Sequence, residues 1–294
     1  MARITVRVPA TTANLAAGFD TLGCALTLYN TLSFEESDHL SFSGCDQAYQ
    51  NEDNLAYQGF ARVYAHIGKP VPPVHIDIRA EIPVSRGLGS SAALLAAGAA
   101  AANHLSKAGL SKDMLIALTT QIEGHPDNLA PAFCGGLTAS MMEDGQVYSI
   151  RYTPHPALRF VALSPDFPLS THAARAVLPA AIPHADAVFN VSRVAVLLGA
   201  LQNGNEEVIA AALKDRLHQP YRQSLIDEYD AVRTLSEQNG CKALCISGAG
   251  PTLLCLTKDK AFAAKMQKAA ASLSHRWTVR DLQVDPVGVH LADE

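Results

Sequence analysis

Pro83-Val84-Ser85-Arg86-Gly87-Leu88-Gly89-Ser90-Ser91-Ala92-Ala93 opens an alanine-rich run that continues to Leu105. Gly87 and Gly89, one residue apart, permit backbone torsions and a close approach that side chains would forbid. Behind them, Ala92 to Leu105 holds strong helix formers and no proline, which predicts a helix beginning after the serines. A glycine turn feeding a helix start leaves unpaired N–H groups converging on one point, with the positive end of the helix dipole behind them. That is a site for phosphate. Taken alone, the stretch reads equally as an ordinary loop and helix cap, so the rest of the chain decides.

At 294 residues the chain is long enough for two domains or one large one, with a full core. Hydrophobic residues make up 48% and charged ones 17%, a composition that excludes extensive disorder. The formal charge of −5 lacks the basic excess of a nucleic-acid binder, and no run of Lys and Arg forms an electrostatic arm. No apolar run reads as long and strong enough to span a bilayer, so no membrane partner is expected. Cys24, Cys45, Cys134, Cys241, Cys245 and Cys255 form no C-x-x-C pair. Buried free thiols in a reducing cytoplasm are the expectation, and a structural zinc site is not.

Ile4, Val6 and Val8 alternate into a strand, followed by the small-residue loop Ala10 to Asp20. Leu22 to Phe34 and Leu40 to Ser43 read as extended; Asn54 to Ile67 reads as a helix stopped by Gly68. His75 to Ile82 alternates and delivers the chain to the glycine loop. Ser111 to Glu123 is predicted helical and ends in the polar turn Gly124-His125-Pro126-Asp127-Asn128; two strands follow, over Leu137 to Met142 and Val147 to Tyr152. The segment Thr153 to Pro156 marks a domain boundary, giving units 1–155 and 156–294. The second unit reads as helices at Ser170 to Leu178, Ala185 to Leu201, Val208 to Leu213 and Tyr221 to Gln238, strands at Arg159 to Leu163, Ala243 to Ser247 and Thr252 to Thr257, a last helix and a final strand from Thr278 to Val284. This is an α+β layer.

The glycine loop lacks the Lys-Ser/Thr ending of a Walker A motif and the third glycine of a Rossmann fingerprint. It resembles instead the ATP-binding motif of the GHMP kinases, which phosphorylate small metabolites. Val8-Pro9-Ala10-Thr11-Thr12-Ala13-Asn14-Leu15-x-x-Gly18-Phe19-Asp20 resembles that family's first motif in its homoserine kinase form. Glu123-Gly124-His125-Pro126-Asp127-Asn128-Leu129-Ala130-Pro131 resembles a second homoserine kinase signature, and Ile246-Ser247-Gly248-Ala249-Gly250-Pro251-Thr252 the C-terminal glycine motif. Four motifs in the family's order cover nearly the whole chain.

The resemblance implies an α+β, two-domain GHMP kinase fold: an N-terminal nucleotide-binding domain, a C-terminal ferredoxin-like domain and substrate between them. It implies ATP-dependent phosphorylation of the side-chain hydroxyl of L-homoserine, in threonine biosynthesis, by a cytoplasmic enzyme, and carries over a homodimer. ATP would lie against Pro83, Arg86, Gly87, Leu88, Gly89, Ser90, Ser91 and Ala92, with adenine near Asn54. Mg²⁺ prefers a few hard oxygen ligands, and by resemblance these are Ser91 and Glu123, counted as catalytic together with Asn128, which would help position the hydroxyl. Homoserine is a zwitterion, so its site needs a cationic fork and an anionic group. Arg175 and Arg222 fall where the family's carboxylate-binding arginines do; Asp20 and Asn14 would receive the ammonium and hydroxyl, and His125 would hydrogen-bond the substrate. Two features depart from the family: Ala16 and Ala17 stand where many relatives have glycine, and the Glu123–His125 spacing is short. No general base is assigned, although Asp127 is an available carboxylate. The alternatives are a GHMP kinase of shikimate or mevalonate type, whose substrates lack the ammonium, and a non-catalytic ATP or metabolite sensor.

Overall fold

The computed structural model describes residues 3–292. The chain opens with β1 (Arg3–Ala13), which runs antiparallel to β2 (Leu22–Glu36) from Arg3↔Glu35 to Ala13↔Gly23. Ile4, Val6 and Val8 are buried while Arg3 and Arg7 are exposed, so the alternation read from the sequence is the face that covers the core. After β3 (Ser41–Ser43), α1 (Leu55–His66) is capped by Asn54, whose Oδ1 accepts from the Ala56 N–H. β4 (Val74–Ala80) lies between β2 and β3, and the glycine loop follows.

The alanine-rich helix, α2 (Ser90–Leu105), lies at the centre of this layer. Ala92, Ala93, Ala96, Ala97, Ala99, Ala101 and Ala102 are fully buried, so apolar residues surround it and no polar face is needed. Small residues let α1 come very close: a Cβ on Gly98 would stand 1.8 Å from the Ala56 carbonyl oxygen, and one on Gly59 2.3 Å from that of Leu95. Next come α3 (Lys112–Glu123), capped by Ser111, α4 (Leu129–Cys134) and the hairpin of β5 (Leu137–Glu143) and β6 (Gln146–Tyr152). β5 joins the far end of β2 at Leu22 to Cys24.

The second layer holds β7 (Arg159–Ser164), α5 (Thr171–Ala176), α6 (His184–Asn203), α7 (Glu206–Ala212), α8 (Gln219–Arg222), α9 (Tyr229–Gln238), β8 (Leu244–Ile246), β9 (Leu253–Thr257), α10 (Phe262–Ala269) and β10 (Thr278–Leu282). Its four strands pair antiparallel in the order β10-β7-β9-β8. With helices between the first and second and between the third and fourth strands, this is the ferredoxin-like βαββαβ arrangement. The expected α+β class and its two-sheet architecture are what the chain forms.

Several details differ from the sequence reading. The central helix starts at Ser90, so both serines sit inside its first turn. Tyr221 to Gln238 is interrupted between Arg222 and Tyr229, where Glu228 takes a left-handed φ of 63°. The expectation about apolar runs also needs correction. With 20 residues and a mean hydropathy of 1.2, α6 is long and apolar enough to cross a membrane by length and composition, although Asn190, Leu197, Ala200 and Leu201 of that helix are buried within the protein. Finally, the chain does not end at β10. Val284 bridges Leu26, and β11 (His290–Ala292) adds to the edge of the first sheet beside β1, as Thr5↔Ala292, Val6↔Leu291 and Arg7↔His290.

Candidate active site

Between the two layers lies a cavity of about 700 Å³. One end is built by the glycine loop. Gly87 and Gly89 both adopt left-handed torsions, φ 73° and 69°, and Gly89 is the N-cap of α2. The first helical bond runs from the Ala93 N–H to the Gly89 carbonyl at 2.9 Å, so the N–H groups of Ser90, Ser91 and Ala92 lie ahead of it. A 16-residue helix therefore points its positive end into the cavity. Neither glycine has room for a side chain. A Cβ on Gly89 would stand 1.9 Å from Thr11 Oγ1, and one on Gly87 2.3 Å from the Ser247 carbonyl oxygen and 2.8 Å from that of Gly250.

The loop is locked to the second layer through these contacts. Ser247 Oγ lies 2.6 Å from the Gly87 carbonyl, to which it donates, and 2.9 Å from Thr12 Oγ1. Arg86 directs its guanidinium away from the phosphate end: Nε donates to the Pro165 carbonyl at 3.0 Å and Nη2 to that of Asp166 at 2.8 Å. Leu88 and Ala92 turn their side chains into the core, and Pro83 is not among the residues lining the cavity. Asn54 does line it, with its amide held by Tyr49 and Ala56.

Below the loop, Ser91 Oγ donates to Glu123 Oε2 at 2.5 Å, bringing the last residue of α3 against the first turn of α2. A hydroxyl and a carboxylate, both hard oxygen donors at the phosphate end, suit Mg²⁺. Gly124, the single residue between Glu123 and His125, turns left-handed at φ 91° immediately after the helix. His125 Nδ1 then meets Asp127 Oδ1 at 2.6 Å. Burial alone would push the His125 pKa down; the Asp127 hydrogen bond and charge, with Glu123 and Asp20 beyond, hold it above its ordinary value. Asp127, 1% exposed, also accepts from Asn128 Nδ2 at 3.3 Å, and Thr11 Oγ1 donates to Asn128 Oδ1 at 2.8 Å. Asn128 is thus oriented from both ends of its amide.

The opposite end carries charge of both signs. Asp20 and Arg175 form a two-pronged ion pair, 2.7 and 3.1 Å. That pairing holds the Arg175 pKa above its usual value. Arg222 is 2% exposed; its Nε donates to the Ala174 carbonyl at 2.9 Å and its Nη1 to that of Gly248 at 3.2 Å. Among the described residues Nη2 has no partner. Burial, and then the charge of Arg175, lower the Arg222 pKa to about 10, so it remains cationic at neutral pH. Both guanidinium groups lie over the Phe19 ring, at 5.5 Å for Arg175 and 5.1 Å for Arg222.

Asn14 bridges the layers, donating to the Gly248 carbonyl at 2.9 Å and accepting from the Asp20 N–H at 2.9 Å. It opens a run of left-handed residues without glycine: Asn14, Leu15 and Ala16 have φ 68°, 42° and 60°. Non-glycine residues there are held at a cost by their surroundings. Ala16, one of the two departures from the family pattern, therefore takes the torsion that glycine would supply. The cavity brings together Asn14, Asp20, Asn54, Arg86, Gly87, Gly89, Ser90, Ser91, Glu123, His125, Asn128, Arg175 and Arg222. Sequence reading gave no role to Thr11, Ser247, Asp215 or His218, which hold these groups in place. An aspartate preceding Gln219-Pro220 is a helix-start signal that could have flagged Asp215; Thr11 and Ser247 stand inside two of the quoted motifs, and nothing local marks His218.

Fold and site together define a class: small-molecule kinases that seat phosphate on a glycine turn and acceptor against a second, ferredoxin-like layer. Family models agree, with "GHMP kinases N terminal domain" matching residues 54–136 and "GHMP kinases C terminal" residues 197–274. The chain belongs to the homoserine kinase family within the GHMP kinases. It is 42% identical over 288 residues to a homoserine kinase of Clostridium botulinum (strain Okra / Type B1), covering 97% of each chain. It is 40% identical over 308 residues to the homoserine kinase of Crocosphaera subtropica, covering 99% of this chain and 98% of that one. The crystal structure of homoserine kinase from Cytophaga hutchinsonii superposes with a TM-score of 0.89 at 26% identity, covering 99% and 97% of the two chains. Mevalonate diphosphate decarboxylase from Staphylococcus aureus shares the fold, with a TM-score of 0.76 at 15% identity and 99% and 98% coverage. The fold by itself therefore leaves the substrate open.

Proposed function

We propose that this protein transfers the γ-phosphoryl group of ATP to the side-chain hydroxyl of L-homoserine, a step of threonine biosynthesis. One observation carries the substrate reading: Asp20, Arg175 and Arg222 present charges of both signs at one end of a cavity whose other end is a helix N-terminus. A zwitterionic alcohol satisfies both signs of charge, whereas a carboxylated alcohol without an ammonium brings Asp20 no cation of its own. Arg222, through Nη2, and Arg175 would take the carboxylate; Asp20 would take the ammonium. Asn128, fixed by Thr11 and Asp127, would hold the hydroxyl in line with the γ-phosphate, and His125 would hydrogen-bond the substrate.

Phosphoryl transfer needs positioning and charge neutralisation more than covalent help from the protein. The amides of Gly87 to Ser91 serve the phosphates, and Ser91 with Glu123 would hold Mg²⁺, which when bound neutralises charge on the β- and γ-phosphates. No base is assigned: Asp127 is committed to His125 and Asn128. We assign residues 1–155, with the returning strand β11, to the nucleotide layer, and the region beginning at 156 to the substrate layer. The six unpaired cysteines support a reducing, cytoplasmic setting.

The test is ADP release from Mg-ATP by the purified protein with L-homoserine, against shikimate, mevalonate and L-serine. Turnover preferring L-homoserine is expected. Silence with homoserine beside activity on another alcohol would overturn the substrate, and nucleotide binding without turnover on any acceptor would favour a sensor.

A further inference from the structure

Beneath the charged end lies a buried polar cluster that touches none of the reacting groups. Asp215, just ahead of α8, accepts four hydrogen bonds: from the N–H groups of Leu217, His218 and Gln219 at 2.9, 2.9 and 2.6 Å, and from Asn190 Nδ2 at 2.6 Å. A carboxylate has about four acceptor positions, so Asp215 is saturated and rigid. It presents His218, which is fully buried. His218 Nε2 lies 2.8 Å from the Ala16 carbonyl, and its Nδ1 lies 3.3 Å from Arg222 Nη1. A carbonyl only accepts, and a guanidinium only donates. The network therefore assigns the neutral tautomer with its proton on Nε2. Asn190 reaches in parallel to the Ala17 carbonyl at 3.1 Å, and the Phe19 ring stacks on His218 at 5.2 Å between centroids.

These contacts grip the left-handed turn at Asn14 to Ala16, whose torsions need holding, and Asp20 stands at the end of that same loop. The opposite side of the same imidazole steadies Arg222. We propose that His218, anchored by Asp215, is a positioning residue that sets the separation between Arg222 and Asp20, and hence selects an acceptor carrying both a carboxylate and an ammonium at the right spacing. His218 need not touch substrate to do this.

The role rests on the homoserine reading, and the test separates the two. KM for L-homoserine, KM for ATP and the preference for L-homoserine over 3-amino-1-propanol, which lacks the carboxylate, are measured for the unsubstituted enzyme and two variants. His218→Leu removes both hydrogen bonds; His218→Gln keeps a donor and an acceptor at about the imidazole spacing. His218→Leu is expected to raise KM for homoserine about tenfold, the scale of one lost hydrogen bond to a charged group. Its KM for ATP should stay within about twofold, its carboxylate preference should collapse, and Gln should restore most of both. Equal losses toward both substrates, or an unchanged carboxylate preference in the folded Leu variant, would overturn the role. If His218→Leu does not fold, His218→Asn carries the test, because it reaches Arg222 but falls short of Ala16; an unchanged homoserine KM there would also overturn it. Inactivity of the unsubstituted enzyme on homoserine would refute the substrate instead.

Discussion

Replacing Gly87 by alanine tests the claim that the phosphate loop is shaped by the second layer. Two costs can be worked from its surroundings. Its φ of 73° is left-handed, which costs an L-residue about 1–2 kcal/mol. The new Cβ would also stand 2.3 Å from the Ser247 carbonyl oxygen and 2.8 Å from that of Gly250, both backbone atoms of the second layer. Backbone cannot swing aside as a long side chain can, and forcing it apart costs about 1–3 kcal/mol. The expected total is about 2–5 kcal/mol. Gly68 supplies the control: its φ is 66°, and a Cβ there meets nothing within 4 Å. Gly68→Ala should therefore lose only the torsional part, about 1–2 kcal/mol. Urea denaturation measures both variants, and initial-rate kinetics against ATP measure the loop. Gly87→Ala should be the less stable protein and should raise KM for ATP, because the loop cannot move without dragging the Ser247 hydrogen bond with it. Equal stability losses, or an unchanged KM for ATP, would refute the coupling.

Three further outcomes follow from the site. Ser91→Ala should lower kcat about 100-fold, the scale for losing one group that acts on developing charge, while KM for ATP changes little; steady-state kinetics at saturating homoserine decide it, and equal loss in both would correct the metal role of Ser91. Asp20→Asn should raise KM for L-homoserine roughly tenfold or more without moving KM for ATP, since the charged partner proposed for the ammonium is lost; an unmoved homoserine KM would weaken the amino-acid reading. His125 has a folded-state pKa held above its ordinary value by Asp127. Its contribution to stability is then fully present below the unfolded value near 6.5 and disappears as pH rises through the elevated folded value. Melting temperatures from pH 5.5 to 8.5 should fall less steeply across that window in His125→Gln than in the unsubstituted protein, and identical slopes would contradict the pairing.

Strands and caps were legible because they leave local marks. Ile4, Val6 and Val8 declare the buried face of β1, and Asn54 and Ser111 stand at helix starts, where their side chains cap. The break at Glu228 left no such mark, since glutamate is an ordinary helix residue and its left-handed φ depends on its carboxylate being held by Ser274, His275 and Trp277. Spacing along α3 did not reveal its buried face either: Met114 is 38% exposed, whereas Ile116 is buried. In the site, the glycine loop and the charged ends could be read because their residue types carry chemistry. His218 could not, because its importance comes from burial and from reaching Ala16, some 200 positions away in sequence.

The return of the chain to its first sheet bears on how the protein is made. β1 leaves the ribosome well before the strand that covers part of its outer edge, His290–Ala292. Asp285, which holds the way back by accepting from Tyr29 at 2.8 Å and from the Gly288 N–H at 2.7 Å, is nearly as late. Until that strand arrives the nucleotide layer therefore carries an open strand edge, a template for pairing with other nascent chains. Removing the strand His290–Ala292 would leave every proposed site residue in place and still expose that edge permanently, so such a protein should fail first by aggregation during expression and only second by loss of catalysis.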